Sequence, residues 1–201
     1  MTSGILLRSA IAILTVALAC AYAYAAEVGG TEFDLAILMR RLSQIPAAQA
    51  RFSELKHMAQ LTEPLALSGI LSYVRPDRLE KRVVSPYPER IAVAGDKLTI
   101  ESQDPGQTRT LRLSSNPVIW AFVESIRATL AGDLAALERH YRVQFEGSAQ
   151  GWLLSLYPRL PEMQRYVAWI RIDGVDDRLR GLEIQEANGD RSLMTIIADP
   201  T

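Results

Sequence analysis

Few residues in this sequence have the types and spacing that catalysis or metal binding requires. Its two histidines, His57 and His140, are far apart, and neither stands at a metal-ligand spacing. We interpret both as residues on solvated helix faces. The acidic pair Asp176-Asp177 lies in the stretch "DGVDDR", where turn formation explains it. Without a phosphate-binding glycine loop, nucleophile elbow or metalloprotease signature, the sequence predicts no catalytic residue, no metal site and no cofactor.

One charged residue stands where an apolar one is expected. The run "LALSGILSYVR" ends at Arg75, directly before a proline. On strand alternation Leu71, Tyr73 and Arg75 point to the same side, so an inward Tyr73 predicts an inward guanidinium near the strand end. A buried guanidinium has to be paired or hydrogen-bonded, because an unpaired buried charge is strongly destabilising. The alternative is an arginine that extends to solvent at the strand end.

Large apolar residues occupy the later part of the chain. In "GWLLSLY", Trp152, Leu154 and Leu156 share one face of a predicted strand, and further apolar side chains lie on the other. A helix packed on one side explains this pattern as well as a ligand does. Trp152 and Trp169 either line a lipid-binding cavity or fill a core.

Helices and strands alternate along the chain. "EFDLAILMRRLSQIPAAQARFSELKHM" repeats apolar residues at three- and four-residue intervals, which is typical of an amphipathic helix that Pro46 interrupts. A second helix is predicted to begin after the cap Asn116, and Gly132-Asp133 ends it and starts a third. The buried face of the second helix is predicted to hold Phe122, Val123, Ile126 and Leu130.

Short runs separated by tight-turn residues predict about eight β-strands. The turns "AGDK", "DPGQ" and "ANGD" supply the glycine, aspartate and asparagine that hairpins require, so neighbouring runs should pair as antiparallel strands. The predicted fold is α+β. It is an unclosed, strongly curved antiparallel half-barrel whose concave apolar face is covered by helices.

The amino terminus differs from the rest of the chain. Residues 1 to 25 contain a basic residue, an apolar core and then small residues, the order of a cleaved secretory signal. We therefore predict a periplasmic protein whose single mature domain spans residues 26 to 201. The alternatives are a retained membrane anchor and lipidation at Cys20, the single cysteine, which follows "VALA".

Composition limits the classes of partner. The 201 residues carry 22 basic and 23 acidic side chains, which give a formal net charge of -1. That balance gives no electrostatic footprint for nucleic acid, so none is expected as a partner. With 48% hydrophobic residues, the chain can bury one sizeable core.

Several blocks of the sequence resemble one known family. "ARFSELK", "LSGILSYVRPDRLEKRVVSPYPERIAVAGDKL", "GWLLSLYPRLP" and "LRGLEIQEANGDRSLMTI" are similar to LolA, the periplasmic outer-membrane lipoprotein carrier, and more closely to its divergent LolA-related branch. The resemblance runs from about Phe33 to Ile197. It implies an apolar cavity that holds acyl chains of a lipoprotein or other lipid-like cargo between the two membranes. The implied partners are an inner-membrane releasing complex and an outer-membrane acceptor, and we expect a monomer.

The resemblance also assigns roles to single residues. It implies that Arg75, in its Arg-Pro pair, holds the empty cavity shut by bonding to carbonyls of the helical lid. Leu79 matches a large apolar position near the cavity mouth. "EKR", residues 80 to 82, departs from the family, which typically has an aromatic residue there. The predicted cargo-binding residues are Arg75, Leu71, Tyr73, Leu79, Trp152, Leu154, Leu156 and Trp169.

Two classes of function follow from these observations. The first is a soluble shuttle for acyl chains, favoured because few charged residues fall on the inward alternation of the later strands. The second is a protein-binding or sensing module, or a membrane-tethered acceptor like LolB, that uses the same concave sheet. Lipidation at Cys20 favours the tethered form, and a cavity filled by its own side chains favours a protein-binding role. An enzyme assembled only in the fold is a weaker third alternative.

Overall fold

The computed structural model describes residues 33 to 102 and 108 to 198. The predicted signal at residues 1 to 25, Cys20 and the predicted "DPGQ" turn lie outside the described residues, so the domain boundary near residue 26 stays a prediction. Within the described ranges, no helix has the length and apolar character needed to cross a membrane.

Eleven strands and four α-helices make up the described chain. In chain order the elements are α1 (Leu35–Leu42), β1 (Ala47–His57), β2 (Leu65–Val74), β3 (Arg78–Ser85), β4 (Glu89–Ala94), β5 (Lys97–Ser102), β6 (Thr108–Arg112), a 3-10 turn (Leu113–Ser115), α2 (Pro117–Ala131), α3 (Leu134–His140), β7 (Tyr141–Ser148), β8 (Gly151–Pro158), α4 (Pro161–Gln164), β9 (Val167–Val175), β10 (Arg178–Glu186) and β11 (Arg191–Ala198).

All of these strands form one antiparallel sheet. Their order is β6-β5-β4-β3-β2-β1-β11-β10-β9-β8-β7. The edge strands β6 and β7 each pair with a single neighbour, so the sheet is not closed. The predicted α+β fold with an unclosed antiparallel sheet is confirmed. The predicted number of about eight strands is too low, because β1 and β3 were not recognised as strands.

Strand β1 replaces what the spacing predicts as helix. Helix α1 ends at Leu42, and the chain after Pro46 is extended. Its burial alternates with a period of two, with Phe52 and Glu54 buried between exposed neighbours, and β1 pairs on both sides, with β2 and β11. Two ladders of tertiary hydrogen bonds thus outweigh the local helical pattern. The interpretation of His57 as a helix residue is therefore wrong, since it is the exposed last residue of β1.

The predicted boundaries of α2 and α3 are confirmed. The Asn116 side chain accepts a hydrogen bond from the N–H of Ile119 at 3.1 Å, and Gly132 ends α2 with φ 69°. Asp133 then caps α3. On α2, Val123 is buried as predicted, together with several small side chains that let the helix pack against its neighbouring helices. Three residues predicted on the buried face are only partly buried: Phe122, Ile126 and Leu130.

The helices pack on one face of the sheet, which we call the inner face. Three clusters of buried apolar side chains lie there. The helix-covered cluster joins the helices to β8 and β9 through Leu38, Leu42, Ala121, Ala128, Ala136, Leu137, Met163, Trp152, Leu154, Leu156, Ile170 and Ile172. The rim cluster joins α2 to β4 and β5 through Val93, Leu98, Leu113 and Val123. The strand-only cluster consists, among described residues, of Phe52, Val83 and Met194 with the partly buried Leu67, Leu71, Leu182 and Ile196.

Candidate functional site

The strand-only cluster lies at the centre of the sheet. Phe52 on β1 is opposite Gly69 on β2 and Ile196 on β11. Gly69 leaves room for the aromatic ring, because a Cβ at that position would lie 2.9 Å from Phe52 Cε1. The described helices contribute no side chain to this cluster. It is therefore the apolar part of the inner face that is buried without a helix side chain.

A buried ion pair interrupts this apolar surface. The Glu54 side chain, only 3% exposed, pairs with Lys81 Nζ and accepts a hydrogen bond from Ser192 Oγ at 2.6 Å. Lys81 Nζ also lies 5.1 Å from the centroid of the Phe52 ring. Burial lowers the pKa of Lys81, although the charge of Glu54 acts to raise it. Sequence reasoning missed Glu54, and the alternation of "ARFSELK" is the signal that places it inward beside Phe52.

Arg75 lies directly after β2 and is exposed, so the prediction of a buried guanidinium is wrong, but its side chain contacts the end of α1. Its Nη1 donates to the carbonyl oxygen of Ser43, the residue that follows α1, and its backbone N–H donates to the Pro46 carbonyl at 3.0 Å. The last carbonyls of a helix carry partial negative charge, which favours a cation beside them. Arg75 thus ties the connection between α1 and β1 to the end of β2.

Tyr73 lies on the inner face two residues before Arg75. It is 4% exposed, and its hydroxyl has no hydrogen-bond partner among the described residues. Burial raises the pKa of Tyr73 above its ordinary value, while the nearby charges of Arg75 and Arg127 act to lower it. The phenol is therefore protonated at neutral pH and able to donate.

Arg127 on α2 approaches the same end of the sheet. Its Nη1 donates to the Gly95 carbonyl at 3.3 Å and lies 3.7 Å from Glu124 Oε2. Its Nε is buried and lacks a hydrogen-bond partner within the described part of the chain. The signal in the sequence for this residue is its spacing, four residues after the buried Val123 on the same helix face.

The structure brings four of the predicted cargo residues together. Leu71 is partly buried against the strand-only cluster, and Leu79 is partly buried against the rim cluster. Register pairs Tyr73 with Leu79 across β2 and β3. Tyr73, Arg75 and Leu79 therefore lie at one end of this strand pair, and Leu71 connects them to the strand-only cluster.

Three further predicted residues lie in the other half of the sheet. Trp152, Leu154 and Leu156 are buried in the helix-covered cluster, packed against the helices. The Trp152 indole N–H donates to the Asp176 carbonyl at 2.9 Å, in the turn predicted at "DGVDDR". These three side chains therefore fill the core in this conformation.

Trp169 is not brought to the inner face. Its neighbour Ile170 is fully buried on that face, so alternation places Trp169 on the opposite side, where it is partly exposed. The guanidinium carbon of Arg171 lies 4.2 Å from the Trp169 ring centroid. The cargo-binding roles of all eight residues stay predictions.

A model of the family described as outer membrane lipoprotein carrier protein LolA-like matches residues 27–199. The chain belongs to this LolA-like family. The family is a non-enzymatic binding and carrier fold, and its members are periplasmic or extracellular. No curated protein matches the sequence significantly.

Solved structures similar to this LolA-like chain are distant in sequence. A LolA superfamily protein from Nitrosomonas europaea is 9% identical over 82% of this chain and 93% of its own, with a TM-score of 0.43. A DUF1329 family protein from Desulfovibrio piger is 11% identical over 83% and 91%, also with a TM-score of 0.43. The MucA/MucB complex of Pseudomonas aeruginosa gives 11% identity over 84% and 59%, with a TM-score of 0.43.

The prediction that His140 lies on a solvated helix face is correct about the helix but wrong about the solvent exposure. It is the last residue of α3, partly buried, and its ring meets the Trp120 ring edge-on with centroids 4.9 Å apart. Burial lowers the pKa of His140. Among the described residues of this LolA-like chain, no three or more His, Cys, Asp or Glu side chains are grouped so that they could hold a metal ion.

Two open depressions lie away from the strand-only cluster. One of about 500 Å³ is lined by residues of β7, β8, α4 and β9, among them Arg142, Tyr157 and Gln164. The other, of about 310 Å³, lies between the β1–β2 connection and the turn at Asn188-Gly189. Neither contains a residue predicted to bind cargo in the LolA-like interpretation.

Proposed function

We propose that this protein is a periplasmic carrier for the acyl chains of a lipoprotein or another lipid-like cargo. It binds the chains on the inner face of the sheet and moves them from the inner to the outer membrane. Its partners are an inner-membrane releasing complex and an outer-membrane acceptor. The function consists of binding and release, without a catalysed reaction.

The observation that carries this proposal is the position of the strand-only cluster beside the contact between Arg75 and α1. Phe52, Val83 and Met194 supply an apolar wall to which the described helices add no side chain. Arg75 bonds to the Ser43 carbonyl at the end of α1, a helix whose buried side chains pack in the neighbouring helix-covered cluster. Movement of α1 would open that covered space beside the apolar wall and make room for an apolar ligand.

In this proposal Arg75 acts as a latch. Cargo that enters under α1 breaks the bond between Arg75 and the Ser43 carbonyl. The loss offsets part of the free energy gained by burying acyl chains, so binding stays reversible. A carrier that has to release its cargo at a second membrane requires such a compromise.

Native mass spectrometry of the protein purified gently from its own periplasm tests the proposal. The co-purified lipid is then extracted and identified. A stoichiometric acylated species is the expected result. An empty protein that also fails to bind a fluorescent fatty acyl probe would refute the carrier function.

Arg75→Leu tests the latch separately. The variant loses an exposed charge-assisted hydrogen bond of about 0.5 to 1.5 kcal/mol that exists only in the closed form, so cargo should bind several-fold more tightly and leave more slowly. The matched control is Arg78→Leu, because Arg78 is exposed like Arg75 but register places it on the outer face opposite Val74. A release rate in Arg75→Leu equal to wild type would refute the latch.

A protein-binding or sensing module is the second candidate. It is favoured by the filled helix-covered half of the inner face, where Trp152, Leu154 and Leu156 occupy the space beneath the helices. It also agrees with the location of both open depressions away from the strand-only cluster. Purification of a stoichiometric protein partner without any acylated species would favour this function over the carrier.

A further inference from the structure

Two buried donors on the inner face lack partners. The Tyr73 hydroxyl and Arg127 Nε are both buried, and neither has a hydrogen-bond partner among the described residues. Buried polar groups in folded proteins are nearly always hydrogen-bonded, because an unmet donor is unfavourable. Two such donors in one region therefore suggest an acceptor that is supplied from outside the chain.

The fold places these two donors at the same end of the sheet. Tyr73 pairs in register with Leu79, and Leu79 pairs with Val93 on β4. Val93 packs against Val123 of α2 in the rim cluster. Arg127 lies one helical turn beyond Val123, and its Nη1 reaches the Gly95 carbonyl just past β4. Both donors thus adjoin the rim cluster.

Positive charge dominates around the Tyr73 hydroxyl. Arg75 and Arg127 both act electrostatically on it. Glu124 lies 3.7 Å from Arg127 Nη1 rather than beside the unpartnered Nε. Two further acids, Asp77 and Asp96, lie at the Gly95 turn, and Asp96 accepts two hydrogen bonds from Ser114. An anionic oxygen group can accept from both unpartnered donors and gain from the Arg127 charge.

We infer that Tyr73 and Arg127 bind the anionic head of an acyl cargo, a carboxylate or a phosphate. The inference rests on the proposed carrier function and names the chemical class of its cargo. The acyl chain would extend from this head along Leu71 to the strand-only cluster. Because Tyr73 stays protonated, it donates to the head rather than repelling it.

Three amphiphiles of equal chain length test this assignment. Hexadecanoate, hexadecyl phosphate and uncharged hexadecanol are titrated into the delipidated full-length protein, with displacement of a fluorescent acyl probe as the readout. We expect at least one of the anions to bind roughly tenfold tighter than the alcohol. The tighter anion identifies whether the head is a carboxylate or a phosphate. Equal affinity for anions and alcohol would overturn the inference while leaving the carrier function standing.

Two variants connect the preference to the named donors. Tyr73→Phe keeps the ring and removes the hydroxyl, and Arg127→Lys keeps the charge and removes Nε. Each should reduce the preference for the anion several-fold and leave hexadecanol binding unchanged. The control is Tyr87→Phe, at a tyrosine that is 71% exposed.

Urea unfolding of each variant confirms that the fold is intact, and Arg127→Lys tests the site independently if Tyr73→Phe is destabilised. A preference for the anion that persists in both variants would refute the site. Failure of all three amphiphiles to bind wild-type protein would instead overturn the carrier proposal itself together with this inference.

Discussion

Removal of the Lys81 charge should destabilise the protein by much more than the partial exposure of this side chain suggests. Lys81→Met keeps much of the side-chain volume but leaves the Glu54 carboxylate without its cation. Glu54 is 3% exposed, whereas Lys81 is 22% exposed. The two partners of this pair therefore differ in their access to water.

The expected loss of stability in Lys81→Met follows from this difference in exposure. Breaking a buried ion pair by removing one partner costs about 3 to 5 kcal/mol, because a buried charge is left uncompensated. Glu54 keeps the Ser192 hydrogen bond at 2.6 Å, and Lys56 Nζ lies 3.9 Å from its Oε1. We therefore expect the lower end, about 3 kcal/mol, for Lys81→Met.

Removal of Glu54 with Lys81 kept should lower the free energy of unfolding by a smaller amount. Glu54→Leu leaves an ammonium on a flexible stem that can extend to solvent, so we expect a loss of about 1 to 2 kcal/mol. In the double variant Glu54→Leu/Lys81→Met no charge is left buried, and apolar replacement of a buried pair is often close to neutral. Its free energy of unfolding should lie within about 1 kcal/mol of wild type.

Urea unfolding followed by circular dichroism measures all four proteins of this cycle. The expected coupling energy is about 3 to 6 kcal/mol, and Lys81→Met should lower the melting temperature by about 6 to 12 °C. A loss below about 0.5 kcal/mol in Lys81→Met would show that the carboxylate is solvated after the change. That result would refute the description of Glu54 as a buried charge on the inner face.

Two further predictions concern the helices. Burial raises the pKa of Tyr141 to about 12, above the ordinary value near 10. The buried neutral phenol therefore contributes fully to the free energy of unfolding below about pH 10, and this contribution is lost as pH rises toward about 12. Urea unfolding of Tyr141→Phe should lack this alkaline loss, and an identical loss in variant and wild type would contradict it. Gly132→Ala should cost at least about 2 kcal/mol, since φ is 69° and the added Cβ would lie 2.8 Å from the Ser43 nitrogen. The control Gly151→Ala, with nothing within 4 Å of the added atom, should be nearly neutral, and an equal effect at both glycines would exclude the clash.

The sequence predicted best what depends on local chemistry. Asn116 and Gly132 marked the ends of α2, because capping depends on the backbone next to the residue itself. Alternation placed Leu71 and Tyr73 on one face, because the period of two holds for any strand. The assignment of "LSGILSYV" as a strand was therefore enough to locate half of the candidate site.

What depends on strand partners was not predictable in the same way. Residues 47 to 57 have a helix-like spacing, and only pairing with β2 and β11 makes them the central strand. With these residues predicted as helix, the sequence does not identify Glu54 as an inward residue or as the partner of Lys81. The spacing of Arg127 after Val123 indicates the helix face, but its contact with the Gly95 carbonyl depends on how α2 crosses the end of β4.

The free energy that keeps α1 packed is comparable to the free energy that an acyl cargo gains on burial. The exposed Arg75 bond to Ser43 contributes about 0.5 to 1.5 kcal/mol, and the exposed pair of Arg41 and Asp176 contributes at most about 1 kcal/mol. Exposing Leu38, Met39 and Leu42 would add about 4.5 to 9 kcal/mol. A chain of about twelve buried methylenes returns about 10 kcal/mol, which is comparable to that sum. In the proposed carrier, cargo can therefore displace α1, and loss of cargo lets Arg75 close it again.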